Sequence, residues 1–144
     1  MGESKASSRW EHDGVRVVPR DRLDTRTAQT PGLNRAAAIT QDSAGARKLW
    51  AGTVTIHPGA ATGVHHHGSL ETVLYVVRGR ARMRWGERLE FSAEAGPGDF
   101  LFVPPHVPHQ ESNASDTEVL ECVLVRSDGQ ATTVNLDSPP WTKA

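Results

Sequence analysis

From Arg35 to Leu136 the chain is cut into short β-rich runs: AAAIT, LWAGTVTI, TVLYVV, ARMRW, LEFSA, DFLFVP, VLECVLV and TTVNL. Turn signals rich in Gly, Pro and Asp separate them at HPGA, RGR, WGE, EAGPGD and SDGQ. In several runs, ARMRW and WAGTVTI among them, apolar and polar residues alternate, the mark of a strand with one face in a core and one outside. About eight such strands at near-regular spacing argue for an antiparallel barrel or sandwich rather than an α/β sheet. An immunoglobulin-like sandwich is disfavoured because its Cys, Trp, Cys spacing is missing. The expectation is an all-β fold.

A chain of 144 residues has the common size of one domain with one hydrophobic core. Residues 1–34 are polar, carry Pro19, Pro31 and Gly32, and show no sustained helical stripe, so they are expected to form an N-terminal arm. Residues 35–136 form the β domain, and residues 137–144 a C-terminal tail. Trp10, in otherwise polar surroundings, is expected to dock on the barrel or on a neighbouring subunit. The 16 basic and 17 acidic residues are spread along the chain without a basic aromatic face, which argues against nucleic acid as a partner. No apolar run approaches the roughly 20 residues of a membrane helix, and MGESKASSRW lacks the apolar segment of a secretory signal. The expected address is cytoplasmic. Cys122, the only cysteine, lies in the apolar run VLECVLV and is expected to be a packed strand residue rather than a reactive thiol.

Three of the seven histidines stand together in GVHHHGSLE. On a strand, residues two apart project from one face about 6.6 Å from each other, a separation at which two imidazoles can share a metal ion. His65 and His67 fit that description, and His66 points the other way. The best candidate for a third ligand is His109, after the proline-stiffened turn of FVPPHVPHQESN. Three imidazoles suit Zn, Fe, Cu, Ni or Co, and an added carboxylate also admits Mn. His12 and His57 are expected to be structural or solvated.

These residues resemble the two motifs of the cupin family. The first reads G, five residues, H-x-H, three or four residues, E, six residues, G, and this chain offers Gly59, His65, His67, Glu71 and Gly79. The second reads G, five residues, P-x-G, two residues, H, three residues, N, and this chain offers Gly98, Pro104, His109 and Asn113. The resemblance covers roughly residues 50–126 and implies the family's double-stranded β-helix, a jelly-roll barrel with one divalent transition metal inside its mouth.

Two departures from the pattern bear on the site. Seven residues rather than six separate Glu71 from Gly79, so counting back from the glycine places Thr72 where the carboxylate belongs. Either a β-bulge restores Glu71 to the metal, or the extra residue lies in the Gly68 turn and three histidines and water complete the site. Glu71 is expected as the fourth ligand, because a carboxylate offsets part of the ion's charge. His106 replaces the glycine of the second motif, and is either an exposed turn residue or a proton shuttle at the pocket mouth. Of Tyr75, Met83, Trp85, Phe100, Phe102 and Val103, about half must face inward by alternation. Gln110 or Arg84 could orient a ligand oxygen if turned inward.

The resemblance implies a metal-dependent enzyme of the dioxygenase or isomerase type acting on a small organic molecule. Its rival is a non-catalytic module that binds a small ligand, and the fold alone does not choose between them. A homodimer formed through edge strands, with the arm crossing, is expected on the same grounds.

Overall fold

Side-chain alternation sets the inner face of the long strands and, with it, everything that can reach the interior. In the computed structural model, which describes residues 10, 11, 14–27, 29, 31–127 and 133–136, Trp50–Ile56 and Leu120–Arg126 alternate strictly between buried and half-buried positions. Ten strands follow along the described chain: β1 (Leu33–Ile39), β2 (Trp50–Ile56), β3 (His65–His66), β4 (Thr72–Arg78), β5 (Ala81–Trp85), β6 (Phe91–Ala95), β7 (Phe100–Val103), β8 (His109–Asn113), β9 (Leu120–Arg126) and β10 (Val134–Asn135). One short helix, α1 (Gln41–Ala44), links β1 to β2.

The strands form two five-stranded antiparallel sheets, ordered β1-β2-β9-β4-β7 and β10-β3-β8-β5-β6. After β2 the chain crosses between the sheets at every step except the β5–β6 hairpin, the signature of a jelly roll and the all-β barrel expected from the sequence. Inward residues of both sheets fill the space between them, with Leu33, Ile56, Leu74, Val76, Met83 and Leu120 in one continuous cluster. No described helix is long and apolar enough to cross a membrane.

Sharp turns make this topology possible. Gly79, between β4 and β5, has φ +89°, and a Cβ there would strike the Val119 carbonyl and lie 2.9 Å from Leu120 Cα. Only glycine meets both demands. Part of the N-terminal segment packs along the barrel: Asp24 exchanges two backbone hydrogen bonds with Ala37 of β1 at 2.8 and 2.9 Å. Trp10 is 60% exposed. His12, the segment from Asp128 to Thr132 and the tail from Asp137 lie outside the described residues.

Candidate metal centre

Strands β3 and β8 lie side by side with His65 directly opposite His109, so both imidazoles leave the second sheet at one level and on one face. Their ring centroids are 4.3 Å apart. His67 follows two residues after His65 and turns inward again, with its ring 4.9 Å from His65 and 5.2 Å from His109. All three side chains are buried, and their ligand nitrogens lie within 4.8 Å of one another.

The backbone fixes which nitrogen faces the centre. His65 Nδ1 is 2.9 Å from the Gly63 carbonyl and His109 Nδ1 is 2.9 Å from the Val107 carbonyl. Each Nδ1 therefore carries the proton and donates it, leaving Nε2 with its lone pair toward the interior. A long 3.5 Å contact joins His67 Nδ1 to Thr133 Oγ1. Burial, followed by the neighbouring His109, holds the His65 pKa below its ordinary value, against the opposing pull of Glu111 and the Gly63 carbonyl. At pH 7 the ring is neutral, the form that binds a metal. His109 is fully buried, yet its Nε2 has no hydrogen-bond partner among the described residues. A nitrogen so placed is costly unless something completes it, and a metal ion held by these three imidazoles would do so.

Two side chains that the sequence reading passed over lie beside the triad. Glu111 is buried, and its Oε1 is 3.8 Å from His109 Nε2. Strand alternation contained that signal, since Glu111 is two residues beyond His109 in HQESN and must share its face. Arg126 is 7% exposed, with its guanidinium carbon 4.8 Å from the centre of the Trp50 ring. It ends a run in which Leu120, Cys122 and Leu124 all point inward, so its orientation was also written in the pattern.

The carboxylate expected at the metal is not brought there. Glu71 is exposed at the entrance to β4, and its backbone N–H donates to Ser127 Oγ at 2.9 Å. The inner face of β4 runs Val76, Leu74, Thr72, so Thr72 is the residue turned inward. Six residues separate Thr72 from Gly79, the motif's own spacing, so the extra residue lies ahead of β4, between His67 and Thr72, and Glu71 stays outside the strand.

The remaining expected site residues divide. Met83 and Val103 are buried, and Trp85 and Tyr75 are half-buried, whereas Phe100 and Phe102 are 71% and 57% exposed on the edge strand β7. His106 sits in an exposed turn at φ 62°, a conformation that explains the family's glycine there. Its ring lies 5.9 Å from that of His66, outside the triad. Gln110 donates to the Thr62 carbonyl at 3.0 Å, and Arg84 to the Leu89 carbonyl at 3.1 Å. His57 is exposed and 3.2 Å from Asn34 Nδ2.

The triad stands between two cavities of different character. One, about 310 Å³, is lined by Met83, Trp85, Leu101, Val103 and Val107 up to His109. The other, about 330 Å³, reaches His65 and His67 and is walled by Arg35, Thr53, Thr62 and Arg126. A ligand can thus be offered an apolar wall on one side and hydrogen-bond donors on the other.

A family model described as a cupin domain matches residues 52–126. No curated protein sequence matches the chain. Among solved structures, an S161A mutant of Bacillus subtilis oxalate decarboxylase superposes with TM-score 0.66 and 23% identity, over 76% of this chain and 29% of that one. A Lactobacillus farciminis oxalate decarboxylase formate complex gives TM-score 0.69 and 22% identity, over 78% of this chain and 34% of that one. Another structure of the Bacillus subtilis enzyme, from work on its Mn(II) centres, gives TM-score 0.65 and 23% identity, over 75% and 29% of the two chains. The likeness is one of fold, and the chain spans about a third of the length of these relatives.

Proposed function

The chain belongs to the cupin family, and on that premise we propose that it is a metal-dependent enzyme, of the dioxygenase or isomerase type, acting on a small organic molecule. The observation that carries this reading is the convergence of three buried imidazoles, two of them with Nδ1 held by a backbone carbonyl, beside cavities large enough for a small ligand. His65, His67 and His109 are the proposed ligands of one divalent ion, Mn, Fe, Zn, Co, Ni or Cu, and Glu71 is left out because its side chain faces solvent. Bound there, the metal supplies Lewis acidity toward a carbonyl or enolate, or redox chemistry if it is iron.

The rest follows from the chain's own residues. The Gly63 and Val107 carbonyls lock the tautomers of His65 and His109, so the donor set is formed before any ion arrives. Glu111 places a carboxylate near His109 Nε2, where it offsets positive charge in a shell of neutral imidazoles. Met83, Trp85, Leu101 and Val103 exclude water from one side of a bound molecule.

The test starts with elemental analysis of protein purified without chelator, which should show about one metal ion per chain. Turnover on a panel of dicarbonyls and catechols, with oxygen uptake where the ion is iron, supports the enzyme. Stoichiometric metal with tight ligand retention but no turnover on that panel favours the binding module instead.

The proposed assembly is a homodimer. Strands β7 and β6 each form one edge of their sheet and expose Phe91, Phe100 and Phe102, an edge that calls for cover. Gel filtration should give a dimer that Phe100→Asp with Phe102→Asp converts to monomer. A chain starting at Asn34 that still elutes as a dimer removes the arm as the cause.

A further inference from the structure

A charged side chain is expensive to place inside a barrel, and Arg126 is placed there without a full set of partners. Its ion pairing decides what it can do. Among the described residues no carboxylate lies within ion-pair distance of it, and its Nε has no hydrogen-bond partner. Trp50 holds the plane of the group from one side, a contact that fixes orientation without satisfying its N–H donors. Glu111 and Arg35 act on it only through their charge, in opposite directions. Thr72, fully buried and paired with Arg126 across the β4–β9 ladder, carries a hydroxyl that also has no hydrogen-bond partner among the described residues. Two unsatisfied donors on adjacent strands mark one corner of the interior.

That corner opens on the polar cavity. Arg126 lines it together with His65 and His67. No Asp or Glu is among its described lining residues, and a divalent ion on the histidines would add two further positive charges. A cavity so charged favours an anion, and the planar fork of a guanidinium matches a carboxylate best.

We propose that this cavity is a carboxylate subsite, in which Arg126 holds a carboxylate of a small organic acid whose remaining atoms reach the metal centre. The proposal deepens, and rests on, the metal-binding reading of His65, His67 and His109. It makes the substrate an acid and gives Arg126 a binding role that neither motif contains.

Titration calorimetry on the full metal-loaded chain tests it, with acetate, malonate and succinate as probes and the corresponding amides as neutral controls. At least one acid should bind about tenfold or more tightly than its amide. Arg126→Gln should remove that preference, and Arg126→Lys should restore only part of it, since an ammonium supplies charge without the fork. Arg126→Met serves as a second neutral variant, because an apolar replacement of a buried ion is often tolerated by the fold. Equal affinity for acid and amide, or wild-type affinity in both neutral variants, overturns the proposal. Metal content measured in parallel keeps the two readings apart: wild-type protein without metal defeats the metal centre, whereas stoichiometric metal with no acid preference defeats only the subsite.

Discussion

The two ends of the barrel both bury polar side chains, but they treat them in opposite ways. At one end Asn113, opposite Ala81, donates from Nδ2 to the Ile56 carbonyl at 3.0 Å and to the Glu118 carbonyl at 2.6 Å, while its Oδ1 accepts from Ser115 N–H at 2.9 Å. Both N–H donors and the carbonyl of that amide tie β8 to neighbouring backbone. At the other end His109, Thr72 and Arg126 are equally buried, and each keeps a polar atom that no described residue completes. Along β9 the change is gradual, from Leu120 through Cys122 and Leu124 to Arg126. A buried polar group that is fully satisfied belongs to the fold, and one left open in an otherwise well-packed interior marks where something else is meant to bind.

The largest expected effect separates the ends outright. His67→Ala and His109→Ala should each take metal content from about one ion per chain to nearly none, because a triad reduced to two imidazoles loses most of its affinity. His66→Ala should leave it unchanged, since that ring faces away and its Nδ1 only accepts from Gly68 N–H. Elemental analysis reads all three variants, and full metal in either of the first two breaks the contrast. Leu120→Ala, at the opposite end, should cost about 2–5 kcal/mol of stability by opening a cavity in the packed cluster, with metal content intact. Denaturant unfolding checks that value, and lost metal in a folded Leu120→Ala protein would show that the ends are not independent.

Much of this division could be read in the sequence, and the parts that could not have physical reasons. The β-rich runs and the turns between them announced the barrel, and the two motifs selected His65, His67 and His109 from seven histidines. Strand β8 escaped a reading based on apolar runs because HQESN is polar, and β3 was reached only through the spacing of its histidines; both hold their place in the sheet by pairing rather than by burial propensity. Glu71 was misplaced because a residue count says that one residue is extra without saying where the strand absorbs it. It falls ahead of β4: Thr72 is turned inward with six residues to Gly79, which leaves Glu71 one position short of the inner face. Phe100 and Phe102 read as core by hydrophobicity, yet on an edge strand their alternate face looks outward. Cys122 was legible: its burial pushes the thiol pKa up to about 12, so it is protonated and inert at neutral pH.

Asn113→Ala should come next in size, at about 1–3 kcal/mol, because it strands two backbone carbonyls and one N–H that the amide now serves. Retained metal with lowered stability is the expected pair of results, and an unchanged unfolding midpoint would mean that water replaces the amide at no cost.

Thr72→Val gives the smallest change, and its sign carries the comparison furthest. The substitution keeps the branched shape that fits β4 and removes a hydroxyl that has no hydrogen-bond partner among the described residues. At a position built for stability, deleting a buried hydroxyl costs free energy, since its partner is left behind. At Thr72 there is no such partner to strand, so stability should stay within about 1 kcal/mol of wild type and move upward if it moves at all. Denaturant midpoints at constant slope measure the difference. A clear loss of stability would place Thr72 with Asn113 among the groups that hold the barrel together, and the open corner beside Arg126 would then be smaller than the geometry indicates.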